Sequence, residues 1–264
     1  MTGSRDQILS AIRKSTVFSK GKMGEPLFLR TDKEGLLKRW QTFEANRAKH
    51  VKALVETFKR ECEHVSGNVT ITRSDDEVCQ LLSTIVKAAG AKQVIRWQTP
   101  LLKRVGVDSL FDSLSVRVKS PGQFFPLKME GLGGKDILST DDDLEDQGAL
   151  VHFPMKASDA EIGITGADWG LADTGTLVLR ALPSQERSTS LLPPIHVAIL
   201  ESGRILAGLD DLIVRLMMDL EENKSLDSCL TMITGPSRTA DIETELVLGI
   251  HGPRELHVIL LDPY

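Results

Sequence analysis

The chain has 264 residues, a length that suits one large domain or one domain with an appendage. With 41% apolar and 26% charged residues it has a globular composition, and its net charge of −5 argues against a dedicated nucleic-acid binder. No apolar run approaches the roughly 18 residues of a membrane span. The first ten residues carry no apolar signal core, so a cytoplasmic location is expected.

Residues 1–66 read as a helical region. Ser4 to Ser15 is amphipathic, with Ile8, Leu9 and Ile12 on one side, and a Gly- and Lys-rich linker follows around Lys20 to Pro26. From Asp32 to about Val65, apolar residues recur at gaps of three and four (Trp40, Phe43, Val51, Leu54, Val55, Phe58, Cys62), which predicts a long helix. At 1.5 Å per residue it would run on the order of 45–50 Å. That length leaves two readings. Either part of the helix packs on a second copy of the chain, or it breaks near Glu44 to His50 and both halves cover their own domain.

Residues 67–264 read as α/β, with 119–160 as an inserted excursion. A strand is expected at Val69 to Thr72, and a helix at Asp75 to Ala89. Ser74 is its N-cap, Glu77 completes a capping box and Gly90 ends it. Strands follow at Gln93 to Trp97 and Ser115 to Val118, a β-α-β-α-β alternation that implies a parallel sheet. Gly131 to Lys135 is not a phosphate loop, because Asp136 follows the lysine and Met129 stands where the first glycine would be. The acidic run 141–146 lacks the glycine and alternating ligands of a calcium loop. Further on, strand-like segments cover Ile162 to Ala172, Thr174 to Leu182, Ile195 to Leu200, Leu230 to Thr234 and Leu256 to Leu261. Helices are expected at Leu209 to Glu222 and Thr239 to Ile250.

Two segments concentrate the residues from which chemistry can be built. In Thr234-Gly235-Pro236-Ser237-Arg238-Thr239, a buried strand is expected to turn at Gly-Pro into a helix. Its free N–H groups and dipole would attract an anion, aided by the Ser237 and Thr239 hydroxyls and the Arg238 fork. The competing reading is a plain helix cap with Arg238 as a surface charge. In the second segment, Asp168 to Thr176, Thr174, Gly175 and Thr176 suit either a ligand wall or a tight turn between strands. Asp168, Asp173, Glu243 and His196 are candidate acids or bases. His196 follows Pro193-Pro194 inside an apolar strand, where a satisfied core histidine is the alternative. The three cysteines, Cys62, Cys79 and Cys229, are dispersed and form no CxxC pair. They read as reduced thiols and cannot by themselves hold an iron–sulfur cluster or a structural zinc.

The strings Thr165-Gly166-Ala167-Asp168 and Gly170 to Leu179, then Ser190 to Ala198, Gly235 to Glu243 and Leu246 to Pro253 resemble the LUD domain of the LutC/YkgG lactate-utilisation family. The resemblance is dense over residues 162–261 and absent over 119–160. It implies a layered α/β fold like the NagB/RpiA/CoA-transferase superfamily. It also implies a part in oxidising L-lactate to pyruvate beside iron–sulfur partner proteins of the LutA and LutB type, with no cofactor in this chain. Ala172 to Thr176 stands among small residues without an evident nucleophile, so CoA-transferase chemistry is not carried over. Two other readings are a stand-alone enzyme on a small phosphorylated or acyl-CoA substrate, and an architectural module that self-associates through its long helix.

Overall fold

The computed structural model describes residues 33–119, 159–223, 229–240 and 246–263. The expectations for residues 4–26, for most of 119–160 and for Glu243 lie outside these residues.

Helix α1 runs unbroken from Lys33 to His64, so of the two readings the one with a break near Glu44 to His50 falls. Its last turns bury Val55, Phe58 and Cys62, spaced three and four apart, in the main core. Ser66 takes a left-handed conformation (φ 67°) and turns the chain out of the helix. The earlier half of α1 keeps its aromatic pair on the same chain. The Trp40 and Phe43 rings lie 5.0 Å apart, and Phe43 packs against a second, smaller core cluster.

Strand β1 (Asn68–Thr72) leads into α2 (Asp75–Ala88). The start of α2 is as expected, since the Ser74 hydroxyl accepts from the Glu77 amide at 3.2 Å. The Glu77 carboxylate accepts from Arg73 N at 2.7 Å, one residue ahead of the cap itself. Val78, Leu82 and Val86 form the buried stripe of α2. After β2 (Gln93–Arg96) come two short helices, α3 (Pro100–Val105) and α4 (Val107–Leu114), hinged at Gly106, and then β3 (Arg117–Lys119). Thr99 caps α3, with Pro100 at its first position, where the missing N–H costs nothing.

Strand β4 (Ile162–Gly166) is buried at every residue, as befits the interior of a parallel sheet. The single strand expected over Ile162 to Ala172 is in fact two strands in different sheets. Ala167 N still donates to Ile199 O in the first sheet, whereas Asp168 N donates to Val178 O in the second. The chain therefore changes sheets between these residues. It then forms β5 (Trp169–Leu171), turns tightly through 172–175, and returns antiparallel as β6 (Thr176–Arg180). Helix α5 (Ser188–Leu191) precedes β7 (Ile195–Glu201), which is followed by a 3-10 turn, Ser202–Arg204, and by β8 (Ile205–Leu206). Next come α6 (Leu209–Asn223), β9 (Leu230–Ile233), β10 (Arg238–Ala240), β11 (Leu246–Leu248) and β12 (Glu255–Leu261).

The main sheet has six strands in the order β1-β12-β7-β4-β2-β3, all paired in parallel. The second has four, β8-β5-β6-β9, and β10 with β11 forms a separate antiparallel ribbon. Helix α1 lies across the second sheet. A side chain at Gly170 of β5 would meet Leu200 at 2.7 Å and the Phe58 ring at 3.0 Å. Phe58 is fully buried, so Phe58→Ala should cost about 3–5 kcal/mol in denaturant unfolding. Leu37→Ala, at a position 43% exposed on the same helix, should stay within about 0.5 kcal/mol.

Candidate functional site

The turn after β9 differs from the expectation in three respects. First, β9 is an edge strand paired antiparallel with β6, with Leu230 36% and Met232 49% exposed; it is not a buried strand of the parallel sheet. Second, no helix opens at Thr239. Residues 238–240 are a strand, and Thr239 pairs with Val247 in the ribbon. The amide of Ser237 is spent on Pro253 O (2.8 Å), and its carbonyl accepts from Gly249 N (3.0 Å). The fan of free N–H groups at a helix N-terminus is therefore absent, and the dipole argument for an anion falls with it. Third, the Arg238 guanidinium donates to Val65 O at the end of α1, where orphan carbonyls favour a cation.

The glycines of both motif segments serve the same helix end. Gly235 (φ +80°) and Gly175 (φ +62°) are left-handed, and a Cβ on either would run into the α1 terminus, at Val65 O and at the Cys62 backbone respectively. Thr174 and Thr176 do reach the neighbourhood of Gly235. The Thr176 hydroxyl lies 2.8 Å from that of Thr174 and 2.8 Å from that of Thr234, and Thr174 donates to Asp173 Oδ1 at 3.2 Å. This hydroxyl chain ties the β5–β6 turn to the end of β9.

A cavity of about 290 Å³ nevertheless opens on the other side of that turn. Gly235, Ser237 and Arg238 line it together with Ser190, His196 and His251, whereas Thr174, Gly175 and Thr176 do not. Segments far apart in the chain thus converge at the N-terminal ends of β7 and β12. His196 is 1% exposed. Its Nε2 shares a 2.9 Å hydrogen bond with the Thr165 hydroxyl, while Nδ1 is buried without a partner. Burial pushes its pKa down to about 3, so the imidazole is neutral at physiological pH. It is a half-satisfied core histidine on the wall of a pocket.

The other candidate acids lie elsewhere. Asp168 sits at the opposite edge of the main sheet, accepting from the Arg180 amide (2.8 Å) and pairing with its guanidinium (3.1 Å). Asp173 is exposed in the β5–β6 turn. Of Thr239, the structure describes the ribbon pairing alone. Sequence reasoning missed Arg104, Arg180, Glu201 and Arg204, which gather at the C-terminal ends of the parallel strands. Only the strand order reveals that grouping. No cluster of His, Cys, Asp or Glu suited to a metal ion occurs among the described residues. Likewise, no described helix is long and apolar enough to cross a membrane.

The profile of the LUD domain matches residues 55–261, and the chain belongs to the LUD domain family. Among curated relatives, Lactate utilization protein C of Halalkalibacterium halodurans is 29% identical over 210 residues, 79% of this chain and 80% of that protein. Lactate utilization protein C 1 of Bacillus mycoides is 30% identical over 186 residues, covering 70% and 76%. A crystal structure of a DUF162 family protein from Deinococcus radiodurans superposes with a TM-score of 0.52. It has 18% identity and covers 80% of this chain and 98% of that one, a likeness of fold.

The state of His196 has a consequence for stability. Its folded pKa lies below the ordinary 6.5, so in mild acid the unfolded chain binds a proton that the folded one refuses. This contribution to stability is complete above pH 6.5 and is lost as pH falls toward 3. Between about pH 7.5 and about pH 5 the native chain should lose about 2 kcal/mol more than a His196→Gln variant, measured by urea unfolding at each pH. Equal losses would show that the buried imidazole is protonated in the fold.

Proposed function

We propose that this chain serves lactate utilisation as a non-redox component, binding a small carboxylate or similar anion. Electron transfer would be carried by iron–sulfur partner proteins of the LutA and LutB type. The observation that carries the reading is the cavity at Gly235 to Arg238, where motif segments near residues 190–196, 231–238 and 251–256 converge. The family relationship supports the biological context, since relatives matched over about four-fifths of their length are named for lactate utilisation.

The chemistry of the cavity suits a compact anion in spite of the lost helix dipole. A guanidinium carries five N–H donors, and the Val65 carbonyl engages the fork from one side only. Ser237 adds a hydroxyl, and the neutral His196 ring can orient a ligand hydroxyl or carbonyl without adding charge. The volume of about 290 Å³ fits a small molecule of the size of lactate or pyruvate. The threonines at 174 and 176 would act behind the site, holding the turn that carries Gly235.

Calorimetric titration of the purified chain with L-lactate and pyruvate tests the ligand. Ser237→Ala should weaken binding on the order of tenfold, the cost of one hydrogen bond to a charged group. Reconstitution with iron–sulfur partners tests the context: the chain should co-purify with them and raise their lactate oxidation. No binding and no association would defeat the reading.

A further inference from the structure

The main sheet has a second functional edge. Strands β2 and β4 are neighbours, yet the chain leaves β2 toward β3 on one side and β4 toward β7 on the other. Open α/β sheets hold ligands in the crevice outside the strand C-termini at such a reversal. Here a crevice of about 540 Å³ lies at that point, with Thr99 after β2 and Asp168 after β4 on its walls. It adjoins a lobe of about 460 Å³ below the ends of β1 and β12, and the two share Arg104, Glu201 and Arg204.

The charges there separate into paired and unpaired. Arg104 is held between Asp75 (3.1 Å) and Glu201 (3.0 Å). Arg180 is held by Asp168 (3.1 Å) and Asp219 (3.4 Å), and its guanidinium stacks 4.9 Å from the Trp169 ring centre. The exposed guanidinium of Arg204, at the junction of the two lobes, has no ion pair or hydrogen bond among the described residues. Each lobe also contains a buried polar group without a partner. Ser202, 1% exposed, leaves its hydroxyl unsatisfied beside Arg204, and Gln185 Oε1 is unsatisfied on the other wall. Buried polar atoms are rarely left so, and a ligand or water is the usual partner. Together they ask for an oxyanion at Arg204 and Ser202 and for a hydrogen-bond donor at Gln185.

We infer that this crevice is a second ligand site, distinct from the Ser237 cavity, for a small anion bearing hydroxyl groups, its phosphate or carboxylate on Arg204 and its hydroxyls toward Gln185. The site is built by the ends of β7 and β4, so it does not depend on the pocket assigned above.

Titration of the full-length chain with glycerol 3-phosphate, with glycerate and with glycerol tests it. Either anion should bind while glycerol does not, and the tighter of the two identifies the oxyanion. Arg204→Ala should weaken that binding at least tenfold and Ser202→Ala severalfold, both with unchanged melting temperature, while Ser237→Ala leaves it intact. Absence of binding by both anions, or binding indifferent to Arg204→Ala, would overturn the inference. Loss of anion binding in Ser237→Ala, with Arg204→Ala silent, would do the same and would place both ligands in the Ser237 cavity.

Discussion

The seating of the α1 terminus on three glycines holds the rest of the molecule in place. Gly170, Gly175 and Gly235 belong to different elements of the second sheet and its following turn, and each faces the helix where a Cβ would collide with it. Phe58 and Cys62 descend from α1 into the core shared with the main sheet. Arg238 closes the arrangement by donating to the Val65 carbonyl, one residue past the helix end. The helix thus joins two sheets between which the chain passes repeatedly, from β4 to β5, from β6 to β7, from β7 to β8 and from β9 through the ribbon to β12. Dispersion contacts at such close approach are individually small, and they are lost together if any of the three positions gains a side chain.

That arrangement explains why the strings that carry the family resemblance are rich in Gly and Thr. Their first duty is architectural. The glycines receive the helix, and the hydroxyls of Thr174, Thr176 and Thr234 join two turns by side-chain hydrogen bonds. The cavity lined by Ser237 and His196 forms on the far side of the same turn, so its geometry is set by how well α1 is seated. The cavity takes its walls from α5, β7, β9 and the turn before β12. It takes its precision from the helix and sheet behind it.

Much of the fold was legible because local rules decided it. The Ser74 cap, the helical period of residues 32–65 and the apolar stretch of Ile195 to Leu200 are local signals, and the structure follows them. What was not legible turned on partners far away in sequence. Residues 162–171 look like one strand because burial is continuous, but the chain changes sheets at Ala167, where its hydrogen bonds pass from Ile199 to Val178. The Gly-Pro-Ser-Arg-Thr string looks like the start of a helix, yet the Pro253 carbonyl captures the Ser237 amide and the chain enters a ribbon instead. For the same reason residue types alone read a helix start at Gly235 to Thr239 with Thr174 to Thr176 as a facing wall, whereas the turn enters a ribbon and the threonines stand outside the cavity that Gly235, Ser237 and Arg238 line. Arg104 and Arg204 could not be singled out at all, since a lone surface arginine gains meaning only from the strand ends around it.

The two edges of the main sheet differ in physical character, and β7 links them. His196 near its start faces a cavity whose buried titratable group is neutral, and Glu201 at its end sits among guanidiniums. At about 3.3 Å per residue the two are on the order of 17 Å apart. Every residue between them is buried, and the strand is paired on both sides, with β4 and β12. Such a strand moves only with its neighbours, because a close-packed interior has no room for one strand to slide alone. The two ends are thus held at a fixed separation, and at the C-terminal edge Arg104 is tied to Asp75 and Glu201. The α1 terminus meets the turns that carry Gly175 and Gly235 and sends Phe58 and Cys62 into the core of the main sheet, so one helix end braces both.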